Sequence, residues 1–126
     1  MGSYNDLIAY KKAYNLAMEI FELTKLYPIE EKYSLTSQIR RSSRSVCANI
    51  AEGYRKRQYP AHFISKISDA DMENTETTVW IDFSLSCLYI NNEVHQKLKL
   101  MNVEIGRLLG DMIKHPEKYY NAPILK

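Results

Sequence analysis

Val94, Leu98, Met101, Ile105, Leu108 and Met112 recur at steps of 4, 3, 4, 3 and 4. Only an α-helix gathers such positions into one stripe, and the alternation is that of a seam packed against a second helix. A helix over about 92–114 is therefore expected, and it must find helical neighbours to bury that stripe. Asn91-Asn92 forms the preceding turn, with Asn92 as the expected N-cap, and His115-Pro116 stops the helix.

Three further stretches carry the helical period. Tyr10, Ala13, Tyr14, Ala17, Ile20, Phe21 and Thr24 mark a helix over about 6–26, capped by Asn5 or Asp6 and ended by Pro28. Leu35, Ile39, Ser42, Ser43, Val46, Ile50 and Gly53 mark one over 31–55. Phe63, Ile67, Ala70, Asn74, Thr77, Thr78, Ile81, Leu85 and Leu88 mark another over 60–90, with Pro60 suited to its first turn. Strand alternation, hairpin signals and internal repeats are absent. Short loops between successive helices favour antiparallel neighbours. The expected fold is all-α: an up-down-up-down antiparallel four-helix bundle, one domain over 1–126, with a loose tail over 115–126.

Composition excludes several classes of function. No run approaches the roughly 20 apolar residues of a membrane helix, and the start shows no signal-peptide pattern. Met1-Gly2 lacks the Ser or Thr that N-myristoylation wants at position 6, where Asp6 stands. Cys47 and Cys87 form no CxxC and lie inside helical patterns, so both are expected as reduced thiols in a cytoplasmic protein.

Net charge is only +2, but it is unevenly spread. Residues 36–60 hold six Lys/Arg against Glu52 (net +5), while 61–95 hold Lys66 against six Asp/Glu (net −5). Placing residues at 100° steps gives each middle helix a second face. Opposite the inner stripe of the second helix lie Arg40, Arg44, Cys47, Ala48, Ala51 and Arg55, charges beside side chains small enough to admit another backbone. The third helix gathers Met72, Val79, Trp80, Phe83 and Cys87 on its outer side, flanked by Asp69, Glu73 and Glu76. An apolar patch of that kind marks a contact surface. The expectation is self-association in a closed ring, one copy's basic face against the next copy's acidic face. The competing expectation pairs the same charges within one chain at little net energy.

Tests for catalytic chemistry find none. A carboxylate-bridged metal bundle needs Glu-x-x-His, yet Tyr59, Asn92 and Met112 stand three residues before His62, His95 and His115. HExxH, GxSxG and phosphate-binding glycine loops are also missing. No catalytic residue, metal or cofactor is expected. Nucleic acid is the remaining option. Arg40, Arg41, Arg44, Arg55, Lys56 and Arg57 can neutralise phosphates, and Tyr54 and Tyr59 can stack on bases. Interface carboxylates compete for Arg40, Arg41 and Arg44, whereas Arg55, Lys56 and Arg57 at the helix end are expected to be free, a basic rim repeated around the ring. The negative helix terminus gives those three a structural role as well. Asn49, Glu52 and Asn74 are read as polar residues that fix register and neighbour choice.

The stretch QIRRSSRSVCANIAEGYRKR, preceded by EEKYSLTS, resembles the signature of the bacterial 23S rRNA intervening-sequence proteins, QIRRAAxSIxxNIAEGxxR. Gln38, Ile39, Arg40, Arg41, Asn49, Ile50, Ala51, Glu52, Gly53 and Arg57 carry the match. It continues through KAYNLAMEIFELTKLYP in the first helix and, less specifically, ENTETTVWIDFSLSCLYI in the third. The resemblance, which extends to the accessory variability proteins of diversity-generating retroelements, implies a four-helix bundle forming a cyclic homo-oligomer, a pentamer. It further implies contact with RNA or DNA and supplies no catalytic residue. The leading expectation is a non-enzymatic, nucleic-acid-associated accessory or scaffold protein. The alternative is a protein-interaction module that touches no nucleic acid.

Overall fold

The computed structural model describes residues 3–120. Those residues are all-helical, with four main helices and no strand: α1 (Ile8–Thr24), α2 (Leu35–Arg55), α3 (Pro60–Ser86) and α4 (Asn92–Lys114), then a single turn, α5 (Glu117–Tyr120). Short 3-10 turns occupy Tyr4–Asp6 and Ile29–Glu31.

Each boundary has a local cause. Asn5 and Asp6 are used up in the first 3-10 turn, so α1 starts at Ile8 with no side-chain cap. α2 starts at Leu35, four residues after the expected 31. There the Glu31 carboxylate accepts hydrogen bonds from the Leu35 backbone N–H and the Ser34 hydroxyl, closing the helix end from outside it. Pro60 opens α3 as expected. That helix stops at Ser86 because Leu88 takes the left-handed conformation (φ 64°), a terminator usually made by glycine. Leu88 is consequently 86% exposed, not part of the inner stripe. Asn91, one residue before the expected cap, accepts from the Val94 N–H at 2.8 Å. The tail expected to be loose is helical at 117–120: Tyr119 stacks on Phe63 at 5.6 Å and Tyr120 meets it edge-on at 5.9 Å. Residues 121–126 of that tail lie outside the described residues.

The core is built from Leu16, Ile20, Ile39, Ile50, Phe63, Ile67, Ile81, Leu98, Ile105, Leu109 and Met112. The α2 stripe is buried throughout. The α4 stripe runs one step round from expectation, along Leu98, Asn102, Ile105, Leu109 and Met112, leaving Met101 and Leu108 at its half-buried margin. On α1, Leu16 turns inward and Tyr14 is half exposed.

Polar pairs key the seams, and partner numbers run in opposite senses along each. Between α2 and α3, Arg41 meets Glu76, Ser42 bonds Thr77 at 2.8 Å, and Glu52 meets Lys66 at 2.9 Å. Gly53 sits deep in the same seam; a Cβ there would lie 3.1 Å from both Ile67 Cδ1 and Lys66 Cβ. Between α3 and α4, the Asn74 amide donates to the Asn102 carbonyl at 3.0 Å and accepts from Asn102 Nδ2 at 2.9 Å; Asp82 meets His95 and Lys99, both at 2.9 Å. Between α1 and α4, Lys12 meets Glu104 at 2.9 Å and Glu19 meets Lys97 at 3.1 Å. A buried amide left without its partner would cost about 1–3 kcal/mol, so the Asn74–Asn102 pair penalises any slip of α3 against α4.

Candidate functional site

The arginines near the start of α2 fan outward at helical steps, Arg40 and Arg44 toward α1 and Arg41 toward α3. Arg40 turns toward α1, donating through Nε to Thr24 Oγ1 at 2.8 Å, with its guanidinium 4.8 Å above the Phe21 ring. Thr24 is free to accept because its own hydroxyl proton goes back to the Ile20 carbonyl at 2.8 Å. Arg44, one turn on and exposed, lies 5.6 Å from the same ring, and Lys25 Nζ approaches it at 4.8 Å. Phe21 is thus a shared cation–π platform. Arg41 turns the other way, toward α3, where it pairs with Glu76 and, at 3.5 Å, with Glu73.

Arg41 therefore satisfies the within-chain pairing weighed from sequence, and it consumes two of the carboxylates reserved there for another copy. Glu76 also accepts from the Trp80 indole at 3.0 Å. That bond, with Arg41 second, holds the Glu76 carboxyl below its ordinary value against the opposing effect of burial. Trp80 is in consequence half-buried, not the exposed centre of an outer patch. Met72, Val79, Phe83 and Cys87 are exposed as expected. Beside them a groove of about 370 Å³ runs between α2 and α3, lined by Tyr33, Leu35, Gln38, Trp80, Phe83 and Cys87 among others.

Lys32, Tyr33, Thr36, Ser37, Arg40, Arg41, Arg44, Ser45 and Ala48 line a second groove, of about 600 Å³. No Asp or Glu lines it. Among the described residues no carboxylate comes within ion-pair distance of Arg40 or Arg44. A third groove, of about 470 Å³, adjoins it between α1 and α2, lined by Tyr4, Tyr10, Tyr14, Ala17, Met18, Arg44, Cys47, Ala48 and Ala51. Burial pushes the Cys47 thiol up to about 11, so it is protonated and unreactive near neutral pH.

The cluster at the far end of α2 is divided. Arg55 and Lys56 are exposed, Lys56 lying 5.9 Å from the Tyr59 ring. Arg57, expected to be free, is 1% exposed. Its guanidinium stacks 4.0 Å above Tyr54, and Nη1 donates to the Tyr54 carbonyl at 2.9 Å. Arg57 therefore cannot contribute to a basic rim. Tyr54, offered from sequence as a stacking surface, is buried, while Tyr59 is 57% exposed. Asn49 donates back to the Ser45 carbonyl at 2.9 Å, a bond within its own helix turn. The sequence marks Phe21 and Thr24 only as part of the first helix's inner stripe and gives Lys32 and Asn102 no role. Phe21 reads as core by its period, and Asn102 is polar in an apolar stripe.

A family model described as 23S rRNA-intervening sequence protein matches residues 5–111. The chain belongs to that family. A solved structure of a protein of unknown function, from the S23 ribosomal protein family of Bacteroides thetaiotaomicron, is similar to it. The two share 32% identity and superpose with a TM-score of 0.78, over 90% of this chain and 99% of that one. No curated protein matches the chain. Among the described residues, no helix is long and apolar enough to cross a membrane, and no three His, Cys, Asp or Glu converge as metal ligands.

Proposed function

We propose that this family member is a non-enzymatic, RNA-associated accessory protein built as an up-down-up-down antiparallel bundle. The opposite running of partner numbers along the seams supports the topology. The observation that carries the RNA reading is the carboxylate-free groove on α2, where Lys32, Arg40 and Arg44 present charge without internal neutralisation. A polyanion satisfies such a groove by releasing its own counterions, which makes binding steeply salt-dependent. The family's name, drawn from sequences interrupting 23S rRNA, agrees with a ligand of that class.

The test is RNA binding titrated against salt. Wild type should bind RNA with log K falling linearly against log salt, and Arg40→Gln with Arg44→Gln should flatten the slope by about 1.4 for two lost phosphate contacts to a single strand. Absence of salt-sensitive RNA binding at low ionic strength would end this reading.

Exposed Met72, Val79, Phe83 and Cys87 favour a further part of the proposal, assembly of copies into a ring, a pentamer by the resemblance. Phe83→Asp should yield monomers in light scattering with helicity retained. Trp80→Asp is a poorer probe, since that indole is tied to Glu76 within the chain. The same α3 strip also suits a different protein as partner. Partners that survive nuclease treatment in a pull-down would favour that second reading.

A further inference from the structure

We propose that the groove between α1 and α2 takes unpaired bases, so that the ligand is single-stranded RNA with Tyr14 as the stacking platform. The inference deepens the RNA reading and rests on it. Tyr4, Tyr10 and Tyr14 lie along one side of that groove. The first two rings meet edge-on at 5.0 Å and the last two lie 6.1 Å apart with a tilt of 31°. Tyr14 is 51% exposed and Tyr4 37%. Ala17, Ala48 and Ala51 contribute small side chains to the lining, which leaves room beside the rings, and Met18 and Arg44 are its long ones.

Continuity with the basic groove supplies the rest. Arg44 and Ala48 line both. A backbone held by Lys32, Arg40 and Arg44 would therefore pass its bases directly onto the tyrosines. Duplex RNA cannot use this arrangement, because its base faces are hidden in the stack; splayed single strands on aromatic rings can. A second copy of the chain fits less well. Of the three acidic residues that such a copy would bring from α3, Glu73 and Glu76 are already held by Arg41, which leaves Asp69.

Fluorescence anisotropy with three labelled probes tests this: a short single-stranded RNA, a duplex of the same length, and an abasic ribose-phosphate oligomer of equal charge. The single strand should bind about tenfold more tightly than the abasic oligomer. Tyr14→Ala should lose about tenfold for the single strand only, leaving affinity for the abasic oligomer and the salt slope unchanged, while Tyr14→Phe restores binding. Circular dichroism checks that each variant is folded. Equal affinity for single-stranded and abasic probes, or a Tyr14→Ala variant binding like wild type, would overturn the inference while leaving the charge-based RNA reading standing. Dissociation of an oligomer by Tyr14→Ala, with RNA affinity unchanged, would also overturn it and make the groove a contact between copies. Should no probe bind in a salt-sensitive way, both readings fall together.

Discussion

Arg40, Arg41 and Arg44 enter α2 near its start; Arg55, Lys56 and Arg57 stand at its end. Both clusters hold three cations within five residues, and the linear sequence favours the second as the freer of the two. Around 40–44 the helix continues, so Arg40 and Arg41 are thrown about 100° apart while Arg44, one turn on, returns to within about 40° of Arg40. Phe21 and Thr24 meet Arg40, Glu73 and Glu76 meet Arg41, and Arg44 shares the Phe21 ring and the basic groove with Arg40. At 55–57 the helix closes. The Lys56 N–H bonds to both Glu52 and Gly53, the Arg57 N–H to Tyr54, and the chain curls so that the Arg57 side chain folds back over Tyr54. A charge inside a helix takes its direction from the period; a charge just past a helix end takes it from the turn.

The largest expected effect separates the clusters by stability. Arg57→Ala removes a fully buried side chain together with its stacking and its carbonyl hydrogen bond, and should cost about 2–4 kcal/mol in denaturant unfolding. Arg44→Ala, at an exposed position, should stay within about 0.5 kcal/mol of wild type. Equal losses would mean that the two clusters do not differ as described. Next in size is the separation by RNA binding. Arg55→Gln with Lys56→Gln should flatten the salt slope less than the Arg40 and Arg44 pair does, because those two side chains line neither the basic nor the tyrosine groove. A larger effect from the helix-end pair would move the binding surface to that end of α2.

Periodicity made the four helices and the whole inner stripe of α2 readable, because apolar side chains at 3.6-residue steps have no other arrangement. It misplaced the ends of α1, α2 and α3, which depend on single capping and left-handed residues such as Glu31 and Leu88. It also missed Asn102, since a hydrophobic pattern discounts a polar residue whose partner, Asn74, lies on another helix. The candidate site was half legible. The arginines announced themselves, but burial of Arg57 and capture of Arg41 are tertiary events. The tyrosines of α1 were counted as core, because period alone cannot separate a half-exposed ring at the stripe's edge from a buried one.

The smallest expected effect asks whether Arg41 can be made to behave like Arg44. Glu76 holds its proton less readily in the folded chain than at its ordinary value of 4.5, first through the Trp80 indole and then through Arg41. Between that ordinary value and the lower folded one, the unfolded chain binds more protons, so stability falls as pH falls through this window and is complete above it. Glu76→Gln keeps an acceptor for the indole but removes the nearer of the two charges that hold Arg41, leaving Glu73 at 3.5 Å. Because both side chains are partly exposed, the variant should lose only about 0.2–1 kcal/mol at neutral pH. Its deficit relative to wild type should shrink as the solution is acidified below 4.5. The guanidinium, then held by Glu73 alone, lines the basic groove, so the same variant should bind RNA somewhat more tightly at low salt. A deficit that stays constant with pH would show that the ion pair contributes nothing. Unchanged RNA affinity would show that Arg41, once released from Glu76, still turns toward α3, leaving Arg40 and Arg44 to carry the binding.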